Sequence, residues 1–257
     1  MLSKYLVLLR MKYIEMFAYQ LATLVWLIGT MVQPLIIMLV WINIYETQTD
    51  YFILYFATLI FVERATSAWD VWELDRQIRD GTFSYSIVRP FHPIHWAIAE
   101  NLVYKALFIV ALIPVWLLLA MVVPALKLNL SGPQWLLFIF ALFLGAVIRF
   151  TISYMFGLFG FWITKVTAIY SMFEAVSLFM SGRIAPLALL PPLLQEVSIY
   201  LPFRYMVGFP IDLVTGAAKE ADIRTGFLGA FIWTTILIAI LGRVWQAGLK
   251  KNQAMGG

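Results

Sequence analysis

A run of residues without any charge places the strongest constraint on the fold of this chain. Residues 106–126, ALFIVALIPVWLLLAMVVPAL, contain no charged side chain. A helix of about 20 apolar residues crosses a bilayer core of about 30 Å. The whole chain is 63% hydrophobic and only 12% charged, whereas a soluble domain is about 25% charged. The sequence therefore predicts one all-α polytopic membrane domain over residues 1–257, without a sizeable soluble domain.

Six transmembrane helices are predicted from the apolar runs. Residues 1–19 are apolar but interrupted by charges, so we expect an interfacial amphipathic helix there instead of a span. Within the third span, Pro114 is expected to kink the helix because it removes a backbone donor. The predicted spans are 21–45, 51–70, 106–126, 135–163, 166–182 and 226–242.

The segment 183–216 is apolar but does not fit a simple span. Each of its five prolines removes one helical hydrogen bond, so a continuous lipid-exposed helix is not expected. We predict short helices that enter the outer leaflet and return, with a purely structural cap as the alternative. The side chains predicted to form an outer gate are Arg183, Pro186, Pro191 and Pro192.

The distribution of Lys and Arg predicts the orientation of the six spans. With the N-terminus in the cytoplasm, twelve of these residues face the cytoplasm and five face outward, while Arg149 stays inside the membrane. Since cytoplasmic loops carry the excess of basic residues, both termini are predicted to be cytoplasmic. The net charge of +4 is then explained by membrane flanks and needs no nucleic acid as a partner.

Several kinds of chemistry are excluded by motifs that the sequence lacks. There is no G-x-x-x-x-G-K-[ST] phosphate loop, no H-E-x-x-H pair and no cysteine. Because no paired catalytic groups are apparent either, we expect a chain without catalysis, without a metal and without a cofactor of its own.

The polar stretch 70–81, DVWELDRQIRDG, interrupts the apolar sequence with charges of alternating sign. It predicts a short helix that ends at Gly81. Balanced charges beside an aromatic anchor favour docking into a protein groove, whereas the alternative is an ordinary solvated loop. The candidate docking residues are Trp72, Glu73, Asp75, Arg76, Arg79 and Gly81.

Four landmarks in order carry a resemblance to a known family. They are ELDRQIRDGTFSYSIVRPFHP, SGRIAPLALLPP, LPFRYMVGFPIDLVTG and a last span that closes on GLKKNQAMGG. Together they resemble the permease subunits of type-2 ABC exporters, in the bacterial branch that has one separate ATPase and often two related permeases. The resemblance covers essentially the whole chain, although no single landmark is as specific as a phosphate loop.

The resemblance implies a partner that supplies the energy. A cassette ATPase subunit would hold ATP and Mg and would receive 70–81 as a coupling helix, with a second contact at Thr164 and Lys165. A second permease, identical or related, would complete the pathway in the lipid of a bacterial plasma membrane. Export of a small hydrophobic or cationic compound is expected.

Charges within the predicted spans are candidates for the pathway, because intramembrane ionisable groups face protein or water. Arg149 and Glu174 are expected to pair across neighbouring spans, or else Glu174 faces the pathway and attracts a cation. Glu63 is expected near the inner vestibule. Phe173 and Phe179 are candidates for an aromatic wall, with lipid contact or packing as the alternative.

Two other functions remain open from the sequence. A channel or secondary carrier without a motor would use Glu174 as its ion site. A membrane scaffold would recruit a cytoplasmic protein through 70–81 and transport nothing.

Overall fold

The computed structural model describes residues 2–18 and 20–256, which form α-helices joined by short turns, with no β-strand in these two ranges. The helices, numbered in chain order, are α1 Leu2–Ala18, α2 Gln20–Ile44, α3 Thr49–Thr66, α4 Asp70–Arg79, α5 Phe83–Ile87, α6 Pro93–Val122, α7 Gly132–Leu158, α8 Val166–Met180, α9 Pro192–Tyr200, α10 Phe203–Met206, α11 Gly208–Thr215 and α12 Glu220–Gly256.

An all-α membrane protein, as predicted, is confirmed by the helical segments that are long and apolar enough to cross a bilayer. Four qualify in the described ranges: Glu46–Arg79, Pro93–Val122, Gly132–Phe161 and Glu220–Asn252. Two further apolar helices are shorter, Ile28–Ile44 and Val166–Met180. The count of six spans therefore stays a prediction.

Helix α7 lies at the centre of the bundle and packs against α3, α4, α10, α11 and α12. Its residues Ile148 and Leu158 are fully buried. Gly145 of α7 permits close contact with α10, because a Cβ atom there would lie 2.9 Å from the backbone oxygen of Tyr205, and small residues let backbones approach in membrane proteins. Because these five helices all pack against α7, a displacement of α7 affects each of them.

Short helices occupy the proline-rich segment 183–216. Pro191 is the N-cap residue of α9, and Pro192 is its first residue, the position at which proline is best tolerated because that N–H has no helical partner. Helices α10 and α11 pack on α7, and Phe209 and Ile211 of α11 are fully buried. The predicted re-entry of these helices from the membrane surface stays a prediction.

Helix α4 begins at Asp70 and ends at Arg79, inside the stretch where the sequence predicted a coupling helix. Gly81 follows with φ of +72°, a left-handed conformation that glycine adopts without steric cost and that commonly ends helices. The chain then turns into α5, where Phe83 is buried against Phe161 and Trp245.

The contact between α4 and α7 is close because α7 has a glycine at the crossing. A Cβ atom placed on Gly157 would lie 2.6 Å from Cβ of Leu74 and 3.3 Å from the backbone oxygen of Asp70. Any larger residue at 157 would push α4 away from α7.

We predict that Gly157→Ala lowers the stability of the protein in detergent by about 1–3 kcal/mol, the usual cost of overpacking a tight interior. The matched control is Gly242→Ala in α12, where a new Cβ meets nothing within 4 Å; it is expected to be neutral or stabilising because alanine favours helix. Thermal unfolding in maltoside micelles compares the two, and equal midpoints would contradict the close contact.

Candidate functional site

The packed face of α4 is fixed to α7 by polar as well as apolar contacts. Val71 and Leu74 are buried, and the backbone N–H of Val71 donates a hydrogen bond to Oγ of Ser153 at 3.2 Å. Ser153 itself is fully buried. Since a buried donor without a partner is costly, this bond fixes the height of α4 along α7.

The free face of α4 carries the charges that the sequence predicted for docking. Trp72 is 49% exposed, and the side chains of Arg76 and Arg79 are 57% and 54% exposed. Arg76 pairs with Glu73 at 2.7 Å and with Asp80 at 3.6 Å. These exposed pairs add little stability but present an ordered, charged surface.

Asp75 belongs to the packed face, although the sequence grouped it with the free charges. It is 1% exposed, and its Oδ2 pairs with Arg79 at 3.0 Å. Its Oδ1 is buried without a hydrogen-bond partner among the described residues. Asp75 therefore holds Arg79 in place and is not itself available to a partner, because its side chain is buried beside Gly160 of the turn Phe159–Phe161.

The predicted second contact lies near α4. Thr164 and Lys165 are exposed in the turn before α8, and α4 packs against both α8 and the turn Phe159–Phe161 on either side of it. Exposed Gly81 ends α4 at the same end of the bundle. Apart from Asp75, the predicted coupling residues are thus at least partly exposed, on α4 and in the turn before α8.

A buried polar chain that was not predicted from the sequence joins α4 to α6. The side-chain amide of Asn101 donates to both carboxylate oxygens of Asp70, at 3.1 and 3.2 Å. Lys105 donates to Oδ1 of Asn101 at 2.9 Å. All three side chains are buried. The i to i+4 spacing of Asn101 and Lys105 was the available signal, since it puts both on one face of α6.

Four charged side chains form a cluster inside the bundle. Nη1 of Arg149 on α7 lies 2.8 Å from Oε1 of Glu63 on α3. Arg183 lies 3.1 Å from Glu63 and 2.9 Å from Oε2 of Glu174 on α8. The hydroxyl of Tyr170 donates to the other Glu174 oxygen at 3.2 Å. This charge cluster (Glu63, Arg149, Glu174 and Arg183) joins α3, α7 and α8.

The charge cluster includes the pair expected between Arg149 and Glu174, but as its longest contact, at 3.8 Å. Arg149 pairs more closely with Glu63. Arg183, expected at the outer mouth, reaches back to Glu174 because α8 ends at Met180 and Gly182 turns the chain with φ of +89°.

A cavity of about 830 Å³ extends from the charge cluster to α4. This volume lies within the range of about 300–1,000 Å³ typical of sites for small organic ligands. Its lining comprises aromatic, aliphatic and charged side chains: Lys12, Glu15, Met16, Thr30, Glu63, Arg64, Ser67, Ala68, Trp69, Trp72, Glu73, Arg76, Glu100, Tyr104, Arg149, Tyr170, Glu174 and Arg183.

The side of the cavity formed by α1 and α6 carries Lys12, which bridges two carboxylates. It lies 2.8 Å from Glu100 and 3.0 Å from Glu15. Partial burial acts to lower the pKa of Lys12, but the hydrogen bonds and charges of Glu100 and Glu15 outweigh it and raise that pKa. Lys12 therefore stays charged and fastens α1 to α6.

The remaining predicted site residues lie apart from the cavity lining as far as the described residues define it. Phe173 packs against Phe156 and Phe203, with ring centroids 5.2 Å away in each case. Phe179 is 58% exposed. Pro186 is buried, whereas Pro191 and Pro192 are exposed. Of the predicted pathway residues, the structure brings together Glu63, Arg149 and Glu174, and of the predicted gate it adds Arg183.

The family model described as ABC-2 family transporter protein matches residues 17–256. The chain belongs to this family. It is thus a membrane permease of an ABC transporter, and the resemblance drawn from the sequence landmarks is confirmed. No curated protein matches the chain. ABC-2 permeases work in general with an ATPase and are not themselves the catalytic component. In this ABC-2 permease, the free face of α4 and the neighbouring cavity are therefore the features that need a functional explanation.

We predict that Arg149→Leu destabilises the protein by about 3–5 kcal/mol, because it removes the buried hydrogen bond that joins α7 to Glu63 of α3 and that Arg183 alone does not replace. The control is Arg224→Leu, which breaks an i to i+4 pair with Glu220. These two side chains are 80% and 83% exposed, so the loss of the pair should cost about 0–1 kcal/mol. Denaturation midpoints in mixed micelles measure both. Similar losses in the two variants would show that the charge cluster does not stabilise the bundle.

Proposed function

We propose that this ABC-2 permease forms, with a second identical or related permease, the substrate pathway of an ATP-driven exporter. Separate cassette ATPase subunits bind ATP and Mg and dock on α4. The observation that carries the proposal is the division of α4 into a face fixed on α7 and a charged face that is free.

The free face of α4 suits a protein partner better than lipid or water alone. Exposed arginines are well suited to paired hydrogen bonds with carboxylates, and Trp72 supplies an aromatic anchor of the kind that dominates binding energy at interfaces. The exposed turn with Thr164 and Lys165 supplies the second, shorter contact.

Movement of the partner would pass from α4 to the spans through the contacts already described. Leu74 meets Gly157 of α7, and Asp70 is bonded to Asn101 of α6. Because both contacts are buried and polar or close-packed, a displacement of α4 shifts α6 and α7 together. The cavity lies between these helices and the charge cluster, so it changes shape as they move.

The cavity supports a small substrate with an apolar body. Trp69, Trp72, Tyr104 and Tyr170 contribute aromatic faces to its lining, which suit apolar or aromatic groups. Of the two classes expected from the sequence, we propose the hydrophobic one. The cationic one depended on a Glu174 that attracts cations and on an aromatic wall of Phe173 and Phe179. Glu174 is paired with Arg183, and neither phenylalanine lines the cavity.

For the orientation, we propose that both termini and α4 face the cytoplasm of a bacterium, with the protein in its plasma membrane. The excess of Lys and Arg on that side supports this. So does the position of the last helix, since Asn252 of α12 donates to Ser84 of α5 at 3.4 Å, next to α4.

We predict that the double variant Arg76→Glu and Arg79→Glu no longer retains a cassette ATPase. Reversal of two interface charges should cost at least about 2 kcal/mol, about 30-fold in affinity. The tagged permease is purified from its own host in mild detergent, and its companions are identified by mass. The control is Lys251→Glu, an exposed residue near the end of α12, which should retain the ATPase. A wild-type chain purified alone, or a double variant with its ATPase, contradicts docking on α4.

The direction of transport is tested in inside-out membrane vesicles with two hydrophobic dyes, one neutral and one anionic, and movement of either dye counts as transport. We expect ATP-dependent accumulation of either dye that persists when an ionophore collapses the proton gradient. Accumulation that follows the gradient and survives Arg76→Glu with Arg79→Glu would instead support the carrier without a motor. An ATPase that binds α4 without any dye movement would leave the scaffold function.

A further inference from the structure

The charge cluster and its neighbour Arg64 leave one positive charge uncompensated beside the cavity. Three guanidinium groups, those of Arg64, Arg149 and Arg183, meet only two carboxylates, Glu63 and Glu174. All five side chains are at most 26% exposed. A charge that is removed from water is costly unless it is paired, so the excess positive charge favours an anionic partner.

Arg64 is the guanidinium group with the weakest pairing. Its Nη1 donates to the phenol oxygen of Tyr104 at 3.2 Å, an uncharged acceptor. Its Nη2 lies 4.0 Å from Oε2 of Glu63, beyond hydrogen-bonding distance. Glu63 is already engaged by Arg149 and Arg183 at 2.8 and 3.1 Å. Arg64 therefore keeps donors for a further acceptor, since a guanidinium group carries five N–H bonds.

Arg64 lines the cavity beside aromatic side chains that would contact the apolar part of a ligand. The hydroxyl of Tyr104 holds Arg64, while its ring packs on Trp69 with centroids 4.2 Å apart. Trp72, packed against Tyr170 at 5.2 Å, also belongs to the lining. The cavity thus offers one cationic point with aromatic side chains beside it.

On the α1 side of the cavity, the carboxylates outnumber the cationic side chains. Lys12 is shared by Glu15 and Glu100, and Glu73 is paired with Arg76. An anionic group is therefore repelled from this side and attracted to the side of Arg64. The separation of charge gives a bound anion one preferred orientation.

We propose that the cavity binds an amphiphile with a single anionic group, a carboxylate or a phosphate, whose charged oxygens contact Arg64 and whose apolar body lies against Trp69 and Tyr104. The complementarity of charge and the adjacent aromatic side chains together specify this class of ligand. The inference deepens the proposed function where it takes this amphiphile as the exported substrate, but the binding itself requires no ATPase.

Binding is tested on the purified full-length permease in maltoside micelles, without the ATPase. Dodecyl phosphate, dodecyltrimethylammonium and inorganic phosphate are titrated, and thermophoresis measures their binding. The two amphiphiles are compared at matched mole fractions in the micelle, and inorganic phosphate is compared by its concentration in the buffer. We expect the alkyl phosphate to bind about 10-fold or more tightly than the alkyl ammonium, since hydrogen bonds to charged groups contribute strongly. Inorganic phosphate is expected to bind weakly because it lacks the apolar body.

The role of Arg64 in binding is tested by Arg64→Gln, which should remove the preference for the alkyl phosphate. The matched control is Arg224→Gln, an exposed arginine on α12 outside the cavity lining, which should keep it. The comparison of the three probes on the wild-type protein remains decisive even if Arg64→Gln does not fold.

Three results would overturn the proposal. The first is equal or tighter binding of the alkyl ammonium by the wild-type protein. The second is inorganic phosphate binding as tightly as the alkyl phosphate, which would show a simple anion site. The third is a folded Arg64→Gln variant that keeps the preference. None of these results depends on ATP-driven transport, so the proposed exporter function stands or fails separately in the vesicle assay.

Discussion

Charge pairing inside an apolar bundle is the interaction on which the arrangement of the spans depends. Arg149, Glu63 and Glu174 lie on three different helices, and each would be costly to leave alone away from water. Their mutual contacts therefore fix α3, α7 and α8 at one relative height. Arg183 adds the turn after α8 to the same arrangement. Apolar packing alone would specify this register poorly, because lipid tails are as apolar as the side chains.

The sequence was informative wherever a local pattern determined the structure. Apolar runs predicted the membrane class, and the amphipathic charges of 70–81 with a terminal glycine predicted α4. Local patterns gave no information on partners distant in the chain. Glu63 lies 86 residues before Arg149, so no spacing rule connects them. Arg183 was expected far from Glu174 because a straight span was assumed, whereas the chain turns back at Gly182.

The attachment of α4 shows the same division between local and distant information. Its helical period indicated that some residues would be buried, yet Asp75 was expected outside because charged residues usually lie there. The bond from Asn101 to Asp70 depends on how α6 and α4 cross, which follows from tertiary packing and not from either segment alone. In α4, the contacts that the sequence did not predict are those that join the exposed helix to the membrane spans.

The contact of Leu74 with Gly157 has a mechanical consequence. Long side chains between two helices act as soft spacers, because they change rotamer when the helices are pressed together. At this crossing the glycine provides no side chain, and Leu74 occupies the space that a Cβ atom on residue 157 would need. The junction is therefore stiff, and a displacement of about 1 Å on α4 is not absorbed by rotamer changes in tightly packed interiors. Close packing at this point therefore favours movement of α4 and α7 together.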